Sequence, residues 1–112
     1  MRRRGAASWK GKCVVLLAGA LCGSAWADDV MQDGKKLFLS GATPACAICH
    51  TLADAGSTGE IGPLLDELKP DATRVEKAIR NGLGVMPANK NLSDAQIRLL
   101  SEYVARASGG AK

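Results

Sequence analysis

The segment Cys46-Ala47-Ile48-Cys49-His50 determines how this chain of 112 residues is organised. Two residues separate the cysteines, so one helical turn brings both thiols to the same edge of a bound ring. His50 follows at once and presents an imidazole beside them. Cys-x-x-Cys-His is the attachment pattern of c-type haem, in which each thiol adds to one vinyl group and the histidine binds the iron. The motif therefore predicts one covalently attached haem c, with thioethers at Cys46 and Cys49 and with His50 as an axial ligand.

Three other kinds of site also use closely spaced cysteines. A structural disulfide between Cys46 and Cys49 suits an exported protein but leaves the adjacent histidine unexplained. A thioredoxin-like dithiol requires a βαβ unit, and the sequence shows no strand pattern. A zinc site requires more ligands than this region offers, because His50 is the one histidine in the sequence. Haem attachment is the interpretation that uses all three side chains.

The start of the sequence has the three parts of a secretory signal peptide. Residues 1–12 carry five basic side chains and no acidic one, and an uncharged apolar run follows at 13–22. Ala25-Trp26-Ala27 then offers a cleavage site of the small-residue type. The sequence predicts a signal peptide at 1–27, a mature domain at 28–112 and a periplasmic location.

Removal of the signal peptide changes the charge of the protein. The 15 basic residues fall to ten while all 11 acidic residues remain, so the net charge becomes −1 instead of +4. No basic tract survives, which argues against a nucleic-acid partner. The apolar run at 13–22 is too short to span a bilayer and is removed with the signal peptide. No stable membrane span is therefore predicted in the mature chain. A lipoprotein anchor at Cys22 is an alternative, although Leu21 stands where that signal requires a small residue.

The mature sequence is short of large apolar side chains. Its aromatic residues are Phe38 and Tyr103, because both tryptophans lie in the predicted signal peptide. Domains of this size bury a modest share of their surface and often depend on a disulfide, a metal or a cofactor. The composition therefore predicts that a large apolar group, which the side chains do not supply, completes the core.

Helical periodicity occurs three times in the mature sequence, and no stretch alternates with the period of a strand. Ser93 and Gln96 form a capping-box pattern at the start of the strongest helix. The tail after Gly109 is predicted to fray. The predicted helices cover 29–40, 71–81 and 93–107, with a short turn at 63–68 and loops at 51–62 and 82–92. The sequence predicts an all-α domain of four or five short helices.

The residues present narrow the choice of the second axial ligand. His50 has no histidine partner, so methionine is the usual alternative. Met86 lies in the run Gly82-Leu83-Gly84-Val85-Met86-Pro87, where glycines and a proline let the chain curve over a ring. Met31 lies on a predicted helix, where methionine commonly fills gaps in a core. Met86 is therefore the predicted ligand, with Met31 as the alternative.

The ring of His50 also needs an acceptor for its other nitrogen, because that hydrogen bond fixes the tautomer and the orientation. Gly62-Pro63 begins a turn after a long loop, and Pro63 offers a carbonyl oxygen without a competing N–H. Pro63 is the predicted acceptor, and it also suits the first position of a helix.

These motifs resemble those of the class I c-type cytochromes over essentially the whole mature chain. The resemblance is carried by Cys46-x-x-Cys-His50, Gly62-Pro63-Leu64-Leu65, Met86-Pro87 and the segments 34–38 and 99–103. It implies the class I cytochrome c fold around one covalently bound haem, with His50 and Met86 as axial ligands.

The same resemblance implies contacts elsewhere in the domain. The first and last helices are expected to cross, with Gly34, Phe38 and Tyr103 at the contact. Pro63 is implied as the partner of the histidine. The residues implied to pack against the haem are Leu52, Leu65 and Ile97.

Longer runs resemble the small haem subunit of periplasmic sulfite dehydrogenases, which are sulfite:cytochrome c oxidoreductases. These runs are 44–56, 61–63, 66–71 and 84–88. In those enzymes a separate molybdenum subunit oxidises sulfite and passes electrons to the cytochrome. The resemblance implies a molybdenum-containing sulfite-oxidising subunit as electron donor and a further cytochrome c or an oxidase as acceptor. It makes this chain an electron-transfer subunit without catalytic residues of its own.

Three other functions are compatible with the motifs. A free periplasmic cytochrome would shuttle electrons to a terminal oxidase. A haem peroxidase or a gas sensor would require an open or displaceable position on the iron. A peroxidase would also require an acid–base side chain over the iron, and the sequence offers no second histidine for that role. Electron transfer is the function that the sequence favours.

Overall fold

The computed structural model describes residues 22–110 as five α-helices joined by turns and loops. The helices are α1 Cys22–Lys36, α2 Cys46–Cys49, α3 Leu65–Leu68, α4 Ala72–Asn81 and α5 Asp94–Ser108. A π-helical turn, Leu37–Gly41, continues α1, and a 3-10 turn, Ala53–Ala55, separates strand β1, Thr51–Leu52, from strand β2, Ser57–Thr58. The predicted all-α class is confirmed.

The helices α1 and α5 cross at close range, and this contact organises the core. Gly34 allows the crossing, because a Cβ atom there would collide with the side chain of Tyr103. One turn further along, the ring of Phe38 meets the ring of Tyr103 at an angle of 63°, with their centroids 6.1 Å apart. Both aromatic side chains are buried. The predicted crossing of the first and last helices at these residues is confirmed.

Tyr103 also connects the crossing to the segment that follows the haem motif. Its hydroxyl donates a hydrogen bond of 2.7 Å to Asp54 Oδ2, in the 3-10 turn between β1 and β2. Burial, together with this bond to a carboxylate, raises the pKa of Tyr103. The hydroxyl therefore stays protonated and remains a donor at neutral pH.

The two longer helices after the motif begin within one residue of their predicted starts. Asp71 caps α4, with its Oδ1 accepting a hydrogen bond of 2.8 Å from Arg74 N. Ser93 and Gln96 form the predicted capping box of α5, with bonds of 3.2 Å to Ser93 Oγ and 2.9 Å to Gln96 Oε1. Caps of this kind contribute about 1 kcal/mol each, because they satisfy backbone N–H groups that the helix leaves unpaired. The buried stripe of α5 includes Ile97, Leu100, Tyr103 and Val104.

The first helix differs from its prediction at both ends. It begins at Cys22 instead of residue 29, because the alanine-containing segment before Asp28 continues the helix in the full-length chain. At the other end, Ala42 N bonds to Leu37 O at 3.1 Å, which widens the last turn into a π turn. The buried Phe38 lies in this turn.

The prediction that the mature chain lacks strands is wrong in one small region. Within the loop 51–62, β1 and β2 pair antiparallel, with Leu52 opposite Ser57. Gly56 closes the turn between them with a φ of 65°, which only glycine adopts without strain. A hairpin of two residues per strand is too short to leave a period-2 pattern in the sequence.

The tail predicted to fray after Gly109 is packed as far as the structure describes it. Gly109 ends α5 with a φ of 82°. Gly110 N bonds to Ala105 O at 2.8 Å, and its Cα lies close against the backbone carbonyl of Pro70. This close contact is possible because glycine has no side chain. From composition alone, the same glycine is taken as a sign of flexibility.

The predicted signal peptide lies mostly outside the described residues, which begin at 22. Within residues 22–110, no helix is both long enough and apolar enough to cross a membrane. No side chain from 25 to 29 is buried, and Val30 is the first buried one among the side chains described from residue 25 onward. Among these side chains, the core begins after the predicted cleavage site.

Gly34→Ala is expected to lower the free energy of unfolding by about 2 kcal/mol, because the new methyl group overpacks the crossing with Tyr103. On an exposed helix face the same change would stabilise by about 1 kcal/mol. Denaturant unfolding of the haem-bound protein measures the difference. Gln32→Ala, at an exposed position of the same helix, is the control and should change stability by less than about 0.5 kcal/mol. A Gly34→Ala protein as stable as the wild type would contradict the close crossing.

Candidate functional site

The haem motif forms one helical turn that ends at the histidine. In α2, Ile48 N bonds to Ala45 O at 3.1 Å, and His50 N bonds to Cys46 O at 2.9 Å. His50 then leaves the helix with φ −117° and ψ 138°. The thiols of Cys46 and Cys49 are free and half-buried, so the disulfide interpretation of the motif has no support in the structure.

The imidazole of His50 is oriented by the turn at Gly62-Pro63. Its Nδ1 lies 2.9 Å from Pro63 O. A carbonyl oxygen can only accept, so Nδ1 carries the proton and Nε2 keeps a lone pair for a metal ion. Gly62 lies directly against the ring, where a Cβ atom would collide with it, and Gly62 N bonds to Cys49 O at 2.6 Å. Pro63 thus lies where the prediction requires the acceptor.

The backbone of His50 is held by the β1–β2 hairpin, a feature that the sequence analysis missed. The buried Ser57 donates a hydrogen bond of 2.8 Å from Oγ to His50 O and accepts one of 2.9 Å from Leu52 N. Gly59 packs against the peptide before His50, where a Cβ atom would come within 2.7 Å of His50 N. The glycines of this loop were a usable signal of close backbone approach, whereas nothing in the sequence marked Ser57.

An apolar cavity of about 880 Å³ opens beside the motif. The four side chains predicted to hold the haem all border it: Cys46, Cys49, His50 and Met86. The remaining wall is mostly apolar and includes Phe38, Leu65, Leu68, Val75, Ile79, Leu100 and Val104. The volume lies at the upper end of typical small-molecule sites, which measure about 300–1,000 Å³. The core is therefore incomplete, as the composition predicted, and the space suits a large planar ring.

Of the three leucine and isoleucine residues expected to pack against haem, Leu65 borders the cavity. Leu52 and Ile97 are 0% and 4% exposed, but they belong to the side-chain core and do not form part of the cavity wall. On α5 the wall is formed by Leu100 and Val104 instead. Helical periodicity identifies the buried face of α5 but not the part of that face that borders a cofactor, which is why the expectation for Ile97 is not supported.

Met86 reaches the cavity on a loop that is closed by its own hydrogen bonds. Residues 82–93, called the Met86 loop below, connect α4 to α5. Leu83 and Met86 exchange two backbone hydrogen bonds of 3.0 Å each. Gly82 has a φ of 72°, and a Cβ atom there would come within 2.8 Å of Met86 O. Met31 packs against the core and is not part of the cavity wall, so the structure brings Met86 and not Met31 to the site.

The polar groups of the wall fit the chemistry of a haem. Arg74 and Lys77 are exposed and border the cavity, where they would pair with the propionate carboxylates. The acidic Asp71 also borders it, but its carboxylate is engaged in the cap of α4. Burial raises the pKa of the Cys46 thiol to about 11, so without haem this sulfur is a neutral thiol in an apolar wall.

Comparisons with known proteins identify the family. Residues 29–104 match the family described as "Cytochrome C oxidase, cbb3-type, subunit III". The chain belongs to this family of cytochromes. It is also 32% identical over 75 residues to cytochrome c-551 of Halorhodospira halochloris, a match that covers 64% of this cytochrome and 94% of that protein.

A solved structure extends the comparison to the fold. The c-type cytochrome SorU from Sinorhizobium meliloti is 52% identical, with a TM-score of 0.71, over 76% of this chain and 98% of that one. This likeness confirms the predicted class I cytochrome fold. Together with the Cys46-x-x-Cys49-His50 spacing, the family and these relatives establish that the cytochrome carries covalently bound haem c and transfers electrons.

The double substitution Cys46→Ala/Cys49→Ala is expected to leave the exported chain largely unfolded. An unfilled cavity lowers stability by about 24 cal/mol per Å³. The cost of leaving half of this space unfilled would therefore be comparable with the total stability of a domain, which is roughly 5–15 kcal/mol. Circular dichroism should show loss of most of the helical signal.

The single variant Cys46→Ala keeps one thioether and is the matched control for the double substitution. It should retain its helices and melt at a lower temperature than the wild type. Native-like helix content with a cooperative melt in the double variant would show that the chain does not need the haem as core.

Proposed function

We propose that the cytochrome holds its haem through thioethers at Cys46 and Cys49 and through axial bonds from His50 and Met86. The observation that carries this proposal is that all four side chains border one apolar cavity. The hydrogen bond from Nδ1 of His50 to Pro63 leaves Nε2 available to the iron. When bound, the haem supplies an iron that gains or loses one electron, and a thioether ligand raises its reduction potential.

The chain itself would keep the site dry and offer a contact to other proteins. Apolar side chains of α4 and α5, among them Val75, Ile79 and Leu100, line part of the cavity and would exclude water from the ring. Ile61, Leu83 and Val85 also border the cavity, yet they are 68%, 70% and 86% exposed. Exposed apolar side chains next to a site mark a surface that a partner can cover. Contacts between redox proteins are often small and short-lived, so a few such residues suffice.

The proposed electron donor is a molybdenum-containing sulfite-oxidising subunit. The support is the sequence resemblance to the haem subunit of sulfite dehydrogenases, in the runs 44–56, 61–63, 66–71 and 84–88. Sulfite oxidation releases two electrons and one haem iron accepts one. The cytochrome must therefore be reduced and reoxidised twice for each sulfite, with a further cytochrome c or an oxidase as the acceptor.

The proposed location is the periplasm, after cleavage between Ala27 and Asp28. The basic start, the short apolar run and the small-residue exit of residues 1–27 support export. The absence of buried side chains from 25 to 29 supports cleavage at this point, because the core does not depend on them. After cleavage, Asp28 and Asp29 would stand at the start of α1, where negative charge stabilises a helix.

Met86→Ala is expected to open one axial position of the iron. The reduction potential should fall, and carbon monoxide should bind the ferrous haem, because no thioether then competes for the iron. Absorption spectra and a redox titration of the purified protein measure both effects.

The control for Met86→Ala is Met31→Leu, which conserves volume in the core and should leave spectrum and potential unchanged. If Met31→Leu alters the spectrum and Met86→Ala does not, the assignment of the ligand is wrong.

Sulfite should reduce the ferric cytochrome only when the molybdenum subunit from the same source is present. Stopped-flow absorbance of the haem measures the rate, which should match turnover. Val85→Asp should slow this reduction about ten-fold, because it places a charge in the proposed apolar contact.

Leu39→Asp is the control for the contact surface, since Leu39 is also exposed but does not border the cavity. Its rate should match that of the wild type. If the molybdenum subunit never reduces the wild-type cytochrome, the protein is a free shuttle between other donors and acceptors.

A further inference from the structure

Arg80, in the last turn of α4, is held by two carboxylates. Its Nε donates a hydrogen bond of 2.9 Å to Glu76 Oε1, one turn earlier on the same helix. Its Nη1 donates one of 2.6 Å to Asp94 Oδ1, the first residue of α5. The hydrogen bond from Arg80 lowers the pKa of Asp94, so the carboxylate is charged at neutral pH. These three residues are called the Arg80 cluster below.

The Arg80 cluster joins the two ends of the Met86 loop. Arg80 lies two residues before that loop and Asp94 directly after it, so their hydrogen bond fixes the distance between the stems. A guanidinium suits this task, because its planar fork can donate to two carboxylates at once. The hydrogen bond to Glu76, on the same helix α4, orients the guanidinium toward Asp94.

Other contacts fix the loop between these stems. Asn89 N bonds to Ile79 O at 2.8 Å, which ties the second half of the loop to α4. Leu92 is buried in the core near the far stem. Met86 lies between the stem at Gly82 and the tie at Asn89. Movement of the Met86 backbone away from the cavity therefore requires the closed loop to loosen.

We propose that Arg80 is a positioning residue for Met86: the Arg80 cluster holds the stems of the Met86 loop together and so limits how often the thioether leaves the iron. This proposal rests on the proposed ligation by Met86. An external ligand can bind the ferric iron only after Met86 has departed. The rate at which imidazole binds therefore reports how often the loop opens.

An ion pair elsewhere on α5 provides a matched control. Arg106 Nη2 donates a hydrogen bond of 2.7 Å to Glu102 Oε1, and the two side chains are 37% and 42% exposed. Arg80 and Glu76 are similarly exposed, at 32% and 34%. Arg106 lies about 18 Å along α5 from Asp94, at a rise of about 1.5 Å per residue. Arg80 differs from Arg106 in binding a second carboxylate, that of Asp94, whose side chain is 71% exposed and which stands at the far stem of the loop.

The experiment uses the ferric haem-bound protein and follows imidazole binding in Arg80→Met, Asp94→Asn, their double variant and Arg106→Met. Arg80→Met is expected to bind imidazole about five-fold faster than the wild type, because it removes both ion pairs of the Arg80 cluster and the loop then opens more often. Asp94→Asn should give a similar increase. The double variant should exceed either single variant by less than two-fold, because both remove one interaction.

A second readout separates positioning of the ligand from general stability. Arg80→Met should lose the sulfur-to-iron charge-transfer band at about five-fold lower imidazole concentration than the wild type, whereas Arg106→Met should leave both this concentration and the imidazole rate unchanged within about two-fold. Equal rates and equal titration midpoints in Arg80→Met and Arg106→Met would overturn the proposal. If Met86→Ala itself keeps the charge-transfer band of the wild type, the proposed ligation fails, and the role of Arg80 fails with it.

Discussion

Apolar side chains of α4 and α5 line a space of about 880 Å³ beside the Cys46–His50 segment, which the side chains of the described residues leave unfilled. The described core has two aromatic side chains, and both are used at the crossing of α1 with α5. The described core therefore has no further aromatic side chain to fill the space. Covalent haem fills it and is not lost on transient opening, so the cofactor acts as a permanent part of the core.

The two sides of the site are built differently. His50 is fixed at its ring by Pro63 and at its backbone by Ser57, close to its attachment in α2. Met86 belongs to a loop that depends on its own short hydrogen bonds and on the contacts at its ends. Under the proposed ligation, this difference would make the histidine the more firmly held ligand. Changes in the Met86 loop would then alter the stability of the bond to iron and, through it, the reduction potential.

The parts of the structure that depend on local rules could be predicted from the sequence. The capping box at Ser93 and the stripe of α5 follow from spacing and side-chain chemistry, whereas the glycine at the crossing with Tyr103 was implied by the resemblance to class I cytochromes. The hairpin that brings Ser57 to His50 could not be predicted, because two residues per strand leave no periodic pattern. Helical periodicity also could not distinguish Ile97, in the core, from Leu100 and Val104, at the cavity, since all three lie on one buried face.

The central claim is that one cavity holds the haem between His50 and Met86. Proton NMR of the reduced protein tests it most directly, because the ring current of the haem shifts the protons of an axial methionine far upfield. With the methionine methyl groups labelled and assigned, the account predicts that the strongly shifted methyl belongs to Met86, while that of Met31 stays in the ordinary range. A shifted methyl that belongs to Met31, or a spectrum with no methionine methyl shifted upfield, would contradict the account.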